Sequence, residues 1–383
     1  MKTPLAWKNL THDRKRLALA VGGIGFAVLL MFMQLGFRGA LYDSTLALPR
    51  LFDAEIVLVS PQRYTLSVRQ KFPKRFLKLA ASSSLVKSAS PLYFENNLSN
   101  WKPTGQVVGP PIRLLAFDPT SPPLLLPDLP QLASRLTAVD TVLFDRKSKE
   151  DFGDLEVGQT AELNGRSVTV VGHFSMGTDF ADDGTVLASD RTFNSVIYGQ
   201  SLMPESLDDL DFGLIRLQEG VDPSVAREEL RRIIPPQALV LTKQEYLDIE
   251  LKFWSTATPI GYVFALGTAM GFLVGTIICY QILFADISDH LREFATLKAM
   301  GYRPKYFINL VLQESLILSL LGFVPGAICA ALLYRMVAVV TGLLMDMSWD
   351  RTLMVAVLTM VMCIVSGCLT MNKVLQTDPA EMF

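Results

Sequence analysis

Charged side chains are scarce in this chain, and their scarcity bears on the solvent it occupies. Asp, Glu, Lys and Arg make up 19% of the 383 residues, whereas hydrophobic residues make up half of them. Because soluble globular proteins carry about a quarter charged residues, this composition indicates residence in a lipid bilayer. The formal net charge of -2 leaves no strongly basic surface, so nucleic acid is not an expected partner.

Cysteine and histidine are also few, which limits disulfides, metal sites and catalysis. None of the four cysteines lies in the polar middle of the chain, so we predict no disulfide framework there. The three histidines are far apart and lack metal-ligand spacing, so we expect no metal site. The polar middle also lacks a G-x-S-x-G elbow and an H-E-x-x-H motif, and we predict no catalytic residue.

Four long uncharged runs stand out against this background. A spanning helix needs about 20 predominantly apolar residues, and residues 17–37, 253–285, 315–334 and 352–372 each meet that length. We predict an α-helical membrane protein with four transmembrane helices. No Asp, Glu, Lys, Arg or His lies inside any run, whereas ion-coupled carriers keep ionisable residues at depth. A self-powered secondary transporter is therefore disfavoured.

The distribution of basic residues predicts the orientation. Lys and Arg cluster in residues 1–16, an amphipathic segment, and in the loop 286–314. Short basic loops stay in the cytoplasm, so both termini are predicted to be cytoplasmic, in the plasma (inner) membrane. The first run is longer than a signal-peptide core and is interpreted as an uncleaved anchor. It follows that 38–252 and the short loop 335–351 are periplasmic and that 373–383 is a cytoplasmic tail.

Two features of the runs concern their length and packing. The run 253–285 would form a helix of roughly 50 Å, more than a bilayer needs, so we expect residues 253–259 to stand above the membrane. Small residues recur at every fourth position, a pattern that lets helices approach closely. It predicts either packing within the chain or the seam of a homodimer. The glycines concerned are Gly267, Gly271, Gly275, Gly322 and Gly326.

The long polar segment alternates strand-like and helix-like stretches. We predict an α+β domain in two lobes, inserted between the first two spans. Asn164-Gly165 predicts a hairpin turn. Residues 103–130 contain eight prolines and predict an irregular loop, either a passive linker or a partner contact. The acidic group Asp179, Asp182 and Asp183 is interpreted as a solvated turn rather than a calcium site.

The cytoplasmic loop between spans two and three contains a short predicted helix, 291–300, ended by Gly301 and Pro304. Its sequence, REFATLKAMG over 292–301, resembles the signature R-E-x-x-x-L-[RK]-A-[IM]-G of the FtsX-like, MacB-type permease family. The stretches 7–10 (WKNL) and 378–381 (DPAE) are weaker family-like marks. The order of one span, a large domain and three spans also resembles that family.

This resemblance implies a non-catalytic permease subunit of an ATP-driven exporter. The 383 residues contain no Gly-Lys pair and hence no G-x-x-x-x-G-K-[ST] phosphate loop. No cofactor is therefore expected on this chain, and ATP with Mg²⁺ would be bound by a separate ATPase subunit. The family implies mechanotransmission and coupling through the cytoplasmic helix. It also implies that the periplasmic domain has a porter-like lobe and a second, β-rich lobe around 135–200. The coupling residues so implied are Arg292, Glu293, Phe294, Leu297, Lys298, Met300 and Gly301.

Within the family, the chain most resembles DevC-type permeases of cyanobacterial heterocyst-glycolipid exporters. That resemblance implies export of a lipid or amphiphile, such as a glycolipid. The implied partners are a dimeric ATPase, a second permease copy, a periplasmic adaptor, a TolC-like outer-membrane protein and membrane lipid. Two alternatives stay open, namely an FtsX-like regulator of a periplasmic hydrolase and a lipoprotein-releasing permease.

Overall fold

The computed structural model describes residues 5–97, 99–103, 109–199, 207–289, 300, 304–341 and 345–376. The chain forms two compact units. Residues 1–40 and 259–383 form one unit, the helix bundle, and residues 41–258 form the other, the inserted domain. The helices, in chain order, are α1 (Leu5–His12), α2 (Arg14–Arg50), α3 (Lys74–Ala81), α4 (Leu129–Leu132), α5 (Asp190–Tyr198), α6 (Pro223–Ile233), α7 (Lys243–Lys252), α8 (Pro259–Asp289), α9 (Pro304–Thr341) and α10 (Trp349–Gln376).

Among the described residues, four helices are long and apolar enough to cross a membrane, namely α2, α8, α9 and α10. Their exposed surfaces are apolar: Leu266 on α8 and Ile328 on α9 are both more than half exposed. Side chains of this kind are stable at a lipid-facing surface. The inserted domain follows the first of these helices and precedes the second, as the sequence predicts.

Helix α2 is longer than the predicted span of 17–37. Its first turn is capped by Asp13, whose Oδ1 accepts hydrogen bonds from the amides of Lys15 (2.9 Å) and Arg16 (3.2 Å). Its 37 residues correspond to about 55 Å at 1.5 Å per residue. The helix continues past the predicted span because Arg38 ends the uncharged run without ending the helix.

The predicted single run 253–285 is divided in the structure. Helix α7 ends at Lys252, Phe253–Ala257 forms a π-helical turn, and Thr258 is extended (φ −105°, ψ 147°). A residue before proline disfavours the helical conformation, and proline suits the first position of a helix. The spanning helix therefore begins at Pro259 and ends at Asp289.

The inserted domain is built on a ten-stranded mixed sheet within its described residues. The strand order is β12-β1-β11-β3-β5-β9-β6-β8-β7-β4, and most neighbours are antiparallel, with β5–β9 and β6–β8 parallel. The strands are β1 (Ile56–Val59), β2 (Phe72–Pro73), β3 (Val86–Glu95), β4 (Trp101–Pro103), β5 (Arg113–Phe117), β6 (Thr141–Asp145), β7 (Thr160–Leu163), β8 (Arg166–Phe174), β9 (Thr185–Ser189), β10 (Asp209–Leu210), β11 (Phe212–Leu217) and β12 (Leu239–Thr242). The predicted β-rich region around 135–200 supplies β6 to β9, so the two predicted lobes share one sheet.

Both faces of this sheet are buried. One hydrophobic cluster includes Ile56 and Leu58, and a second includes their neighbours Val57 and Val59. Alternate side chains of β1 therefore enter different cores, which explains why its four residues are all apolar and buried. The predicted hairpin between β7 and β8 is confirmed, because Asn164 and Gly165 both have positive φ (51° and 79°) at its turn.

The prediction of an irregular loop over 103–130 was wrong in part. Strand β5 lies inside this segment, pairs with β3 and β9, and is fully buried. The proline-rich part after it is also integral, because the Pro123 carbonyl accepts a hydrogen bond from the Asp53 amide (2.9 Å). Five residues of strand between proline-rich flanks were too short to change the composition of the segment. A passive linker is excluded for these described residues.

The prediction of a solvated turn for the acidic group after β8 was wrong in part. Asp183 is exposed and pairs with Lys149 (2.7 Å). The side chains of Asp179 and Asp182 are largely buried instead and form ion pairs with Arg113 of β5, whose side chain is only 1% exposed. Burial raises the pKa of Asp182, and the Arg113 guanidinium opposes that rise. The pattern DFADDG predicted exposure because nothing local indicates that a buried arginine from a distant strand would reach it.

Candidate functional site

Most of the predicted coupling residues lie outside the described part of the chain. They are Arg292, Glu293, Phe294, Leu297, Lys298 and Gly301. Met300 is described, and its side chain is 64% exposed. The coupling assignment accordingly stays a prediction.

The end of α8 and the start of α9, which lie on either side of that segment, form contacts within the bundle. Arg16 at the start of α2 forms an ion pair with Asp289 at the end of α8 (2.6 Å) and lies 4.0 Å from Asp286. Ile287 of α8 packs against Phe307 of α9 in a small buried cluster with Val311 and Met371. The helices that lead into and out of residues 290–303 thus share contacts within the bundle.

The five predicted packing glycines all face other helices of the same chain. A Cβ added at Gly271 would meet Met31 at 3.2 Å, and one at Gly326 would lie 2.7 Å from the Gly25 carbonyl oxygen. Cβ atoms at the remaining three would overlap a neighbouring helix. Their partners are Gln34 for Gly267, Met362 and Ala27 for Gly275, and Ile24 for Gly322. Small residues therefore allow α2 to pack closely on α8 and α9.

A second group of residues connects α7 to the rest of the inserted domain. Helix α7 begins with a capping box, in which Thr242 Oγ1 accepts from the Glu245 amide (3.1 Å) and Glu245 accepts from the Thr242 amide (2.9 Å). Lys243, the first residue of α7, donates through Nζ to the carbonyl oxygens of Arg50 (2.8 Å) and Phe52 (2.6 Å). Lys243 therefore caps the last turn of α2, where free carbonyls carry partial negative charge.

Aromatic packing joins the same two segments to the sheet. The Phe52 ring lies 5.3 Å from Phe212 of β11 and 6.3 Å from Tyr246 of α7, and Tyr246 meets Phe212 edge-on at 5.9 Å. All three side chains are at most 2% exposed. Such pairs stabilise a fixed arrangement of their backbones.

The last turn of α7 is tied to the loop 60–70. Glu250 is fully buried and accepts hydrogen bonds from Thr65 Oγ1 (2.9 Å), the Tyr246 hydroxyl (3.1 Å) and the Leu66 amide. Burial raises the pKa of the Glu250 carboxyl, and these hydrogen bonds counteract part of that rise. We call Phe52, Phe212, Lys243, Tyr246 and Glu250 the root.

A buried ion network fixes the other end of the loop 60–70. Arg63 pairs with Asp211 (2.8 Å), and both side chains are fully buried. Arg69 also contacts Asp211 (3.2 Å) and pairs with Glu95 of β3. Burial lowers the pKa of Arg63, whereas Asp211 opposes this shift. Because a buried charge without its partner is costly, this network holds the loop against β3 and β11.

Sequence reasoning missed the root and its network. The pattern Thr242-x-x-Glu245 is a capping-box signature and could have located the start of α7. Nothing in the sequence links Arg63 to Asp211, which is 148 positions away. Pairings of this kind arise from sheet topology rather than from local pattern.

Two known family models match the sequence of this chain. The family model described as MacB-like periplasmic core domain matches residues 17–233, and the model described as FtsX-like permease C-terminal matches residues 260–379. The first match alone covers more than half of the chain. The chain belongs to the MacB/FtsX-like ABC permease family. No curated protein sequence matched it significantly.

The solved structures similar to this permease include periplasmic and extracellular domains of other transporters. One is the periplasmic region of MacB from Actinobacillus actinomycetemcomitans, with 13% identity and a TM-score of 0.36, covering 51% of this chain and 92% of that one. Another is the extracellular domain of the noncanonic ABC-type transporter YknZ from Gram-positive bacteria, with 11% identity and a TM-score of 0.34, covering 49% and 99%.

Proposed function

We propose that this permease is the membrane subunit of an ATP-driven exporter that works by mechanotransmission. A separate dimeric ATPase binds ATP with Mg²⁺ and moves the segment 292–301 in two permease copies. The motion passes along α2 and α8 to the inserted domains. These domains then drive a lipid or amphiphile into a periplasmic adaptor and a TolC-like duct.

The contacts made by the residues of the root support this proposal. Lys243 holds the last turn of α2, the Phe52–Phe212–Tyr246 cluster packs that turn and α7 on β11, and Glu250 holds the loop 60–70. The end of the first spanning helix and the helix preceding the second are thereby joined to one strand. A junction of this kind moves as a unit, because packed cores do not deform continuously.

The proposed substrate class is a glycolipid or similar amphiphile. Support for this class comes from the resemblance to DevC-type permeases. The uncharged runs separately disfavour an ion-coupled carrier. Uptake takes place from the membrane or the periplasmic side, so no wide channel through the bundle is required. We place the protein in the inner membrane with the inserted domain in the periplasm.

Purification of the tagged permease in mild detergent tests this function. An ATPase recovered together with a periplasmic adaptor supports an exporter, and labelled glycolipids then become the first substrates to assay. An ATPase recovered with a cell-wall hydrolase supports the regulator, and one recovered with a lipoprotein carrier supports lipoprotein release. Absence of any ATPase contradicts the proposal.

The coupling segment has its own test in the purified complex. Glu293→Ala or Gly301→Pro should lower permease-stimulated ATP hydrolysis while the protein stays folded. Stimulation equal to that of the natural chain contradicts the coupling assignment.

A further inference from the structure

An exposed aromatic residue lies between two buried polar ones in the loop 60–70. Arg63 and Thr65 are 3% and 2% exposed, whereas Tyr64 between them is 52% exposed. The chain thus turns its polar side chains inward, to Asp211 and Glu250, and its aromatic ring outward. This inverts the usual arrangement for a surface in water, so Tyr64 is suited to a less polar environment.

Tyr64 is one member of a continuous aromatic surface. Its ring lies 5.2 Å from Phe253, and Phe253 meets Trp254 edge-on at 5.7 Å. Phe253 and Trp254 are half-buried, and the adjacent Lys252 is exposed. We call Tyr64, Phe253 and Trp254 the aromatic surface. Aromatic rings beside a cationic side chain are typical of the membrane–water interface.

Backbone carbonyls beside this surface accept hydrogen bonds from threonine side chains of the same segment. Phe253–Ala257 is a π-helical turn, and Thr256 Oγ1 donates to the Lys252 carbonyl (2.7 Å). Thr258 Oγ1 donates in the same way to the Trp254 carbonyl (2.8 Å). Hydroxyls therefore satisfy carbonyls at a helix break that would otherwise depend on water. Such internal satisfaction suits a chain that approaches hydrocarbon.

Covalent connection limits how far this surface lies from the bilayer. Trp254 is five residues before Pro259, the first residue of the second spanning helix. Five residues in helical geometry span about 8 Å, and each polar layer of a bilayer is about 5–8 Å thick. The aromatic surface is thus attached within about 8 Å of the start of the second spanning helix.

We propose that the aromatic surface binds phospholipid in the leaflet at the head of α8. Its three rings contact the headgroup and glycerol region of the lipid, and the exposed Lys252 ammonium contacts lipid phosphate. The loop 60–70 then rests on the lipid while Arg63 and Glu250 hold it to the root. This interaction requires the spanning helices and the inserted domain but not the ATPase or the substrate, so it stands or falls independently of the proposed function.

Depth-dependent quenching of Trp254 tests the proposal. The full chain carrying Trp7→Phe and Trp349→Phe retains Trp254 and the fully buried Trp101, and the same chain with Trp254→Phe gives the background. Each of the two chains is placed in phosphatidylcholine nanodiscs that contain a lipid with a nitroxide on the headgroup, on the upper acyl chain or near the terminal methyl. We expect the first two to quench Trp254 about twofold more than the third, because the interface lies about 15 Å from the bilayer centre.

Quenching by aqueous iodide alone places the surface in water and overturns the proposal. Quenching by neither iodide nor lipid nitroxides means that protein covers it, which overturns the proposal as well.

A matched pair of tryptophan reporters tests Tyr64 itself. Tyr64→Trp and Val157→Trp, each in a background that also lacks Trp254, occupy similarly exposed positions (52% and 53%). Val157 precedes β7, seven strands from β1 in the sheet, or about 34 Å at 4.8 Å per strand. Headgroup nitroxide should quench the reporter at 64 and leave that at 157 unchanged. Equal quenching at both positions contradicts a specific lipid contact.

Discussion

At the residue scale, the inserted domain depends on a few buried or half-buried polar groups that connect segments far apart in the chain. Lys243 and Glu250 lie at opposite ends of α7, and each holds backbone groups that regular secondary structure leaves free. A buried donor or acceptor that loses its partner costs about 1–3 kcal/mol. Single substitutions at these two positions should therefore have measurable effects.

Lys243→Met should destabilise the inserted domain. It removes the ammonium that donates to the Arg50 and Phe52 carbonyls, and hydrogen bonds to charged groups contribute about 1.5–3 kcal/mol. We expect the Tm of the full chain in detergent to fall by several degrees. Lys87→Met, at an exposed position of β3, is the matched control and should leave the Tm unchanged. A Tm for Lys243→Met equal to that of the control contradicts the capping role.

Glu250→Gln should alter the dependence of stability on pH. The pKa of the Glu250 carboxyl is raised above 4.5 by burial, so its contribution to stability is fully present below about pH 4.5 and is lost as pH rises through the folded-state pKa. The amide does not titrate. We therefore expect the Tm of the natural chain to fall relative to that of Glu250→Gln as pH rises. Parallel curves from pH 4 to pH 8 would show that this carboxyl does not titrate as inferred.

At the element scale, the spanning helices were predictable and the sheet only in part. An uncharged run of about 20 residues has few alternatives to a spanning helix, so four were identified. The ends of the helices do not follow from these runs, because α2 continues through Arg38 and Asp43 beyond the membrane-length run. Strand β5 was missed because its proline-rich flanks resemble a loop, and the root was missed because its contacts join distant segments. The hairpin at Asn164-Gly165 was predicted because turn chemistry is local.

Helix packing in the bundle gives a prediction at this scale. Gly326→Ala would place a Cβ 2.7 Å from the Gly25 carbonyl oxygen and 2.8 Å from the Val28 Cβ, so α2 and α9 must separate. Overpacking of this kind costs about 1–3 kcal/mol. We expect Gly326→Ala to lower the Tm. Gly22→Ala should leave the Tm unchanged, since nothing lies within 4 Å of a Cβ at Gly22. Equal effects of the two substitutions would contradict the close contact of α2 with α9.

At the scale of the whole molecule, the family assignment, the four apolar helices and the inserted domain together describe an ABC permease. The proposed function adds a route for motion that passes from the segment 292–301 along α2 and α8 to the root. Because Lys243 and Glu250 hold both ends of α7, removing both side chains should loosen the attachment of α2 and α7 to the sheet. The expected result is ATP hydrolysis with reduced movement of the inserted domain.

The most direct test of this account measures the distance between the inserted domains of two permease copies. Spin labels at Val157→Cys, with the four natural cysteines replaced by alanine, report that distance by pulsed EPR in the ATPase complex. We predict that trapping the nucleotide-bound state shifts the distance in the otherwise natural chain and shifts it less in the Lys243→Met, Glu250→Ala double variant. An unchanged distance in the natural chain, or an equal shift in the double variant, would contradict transmission through the root.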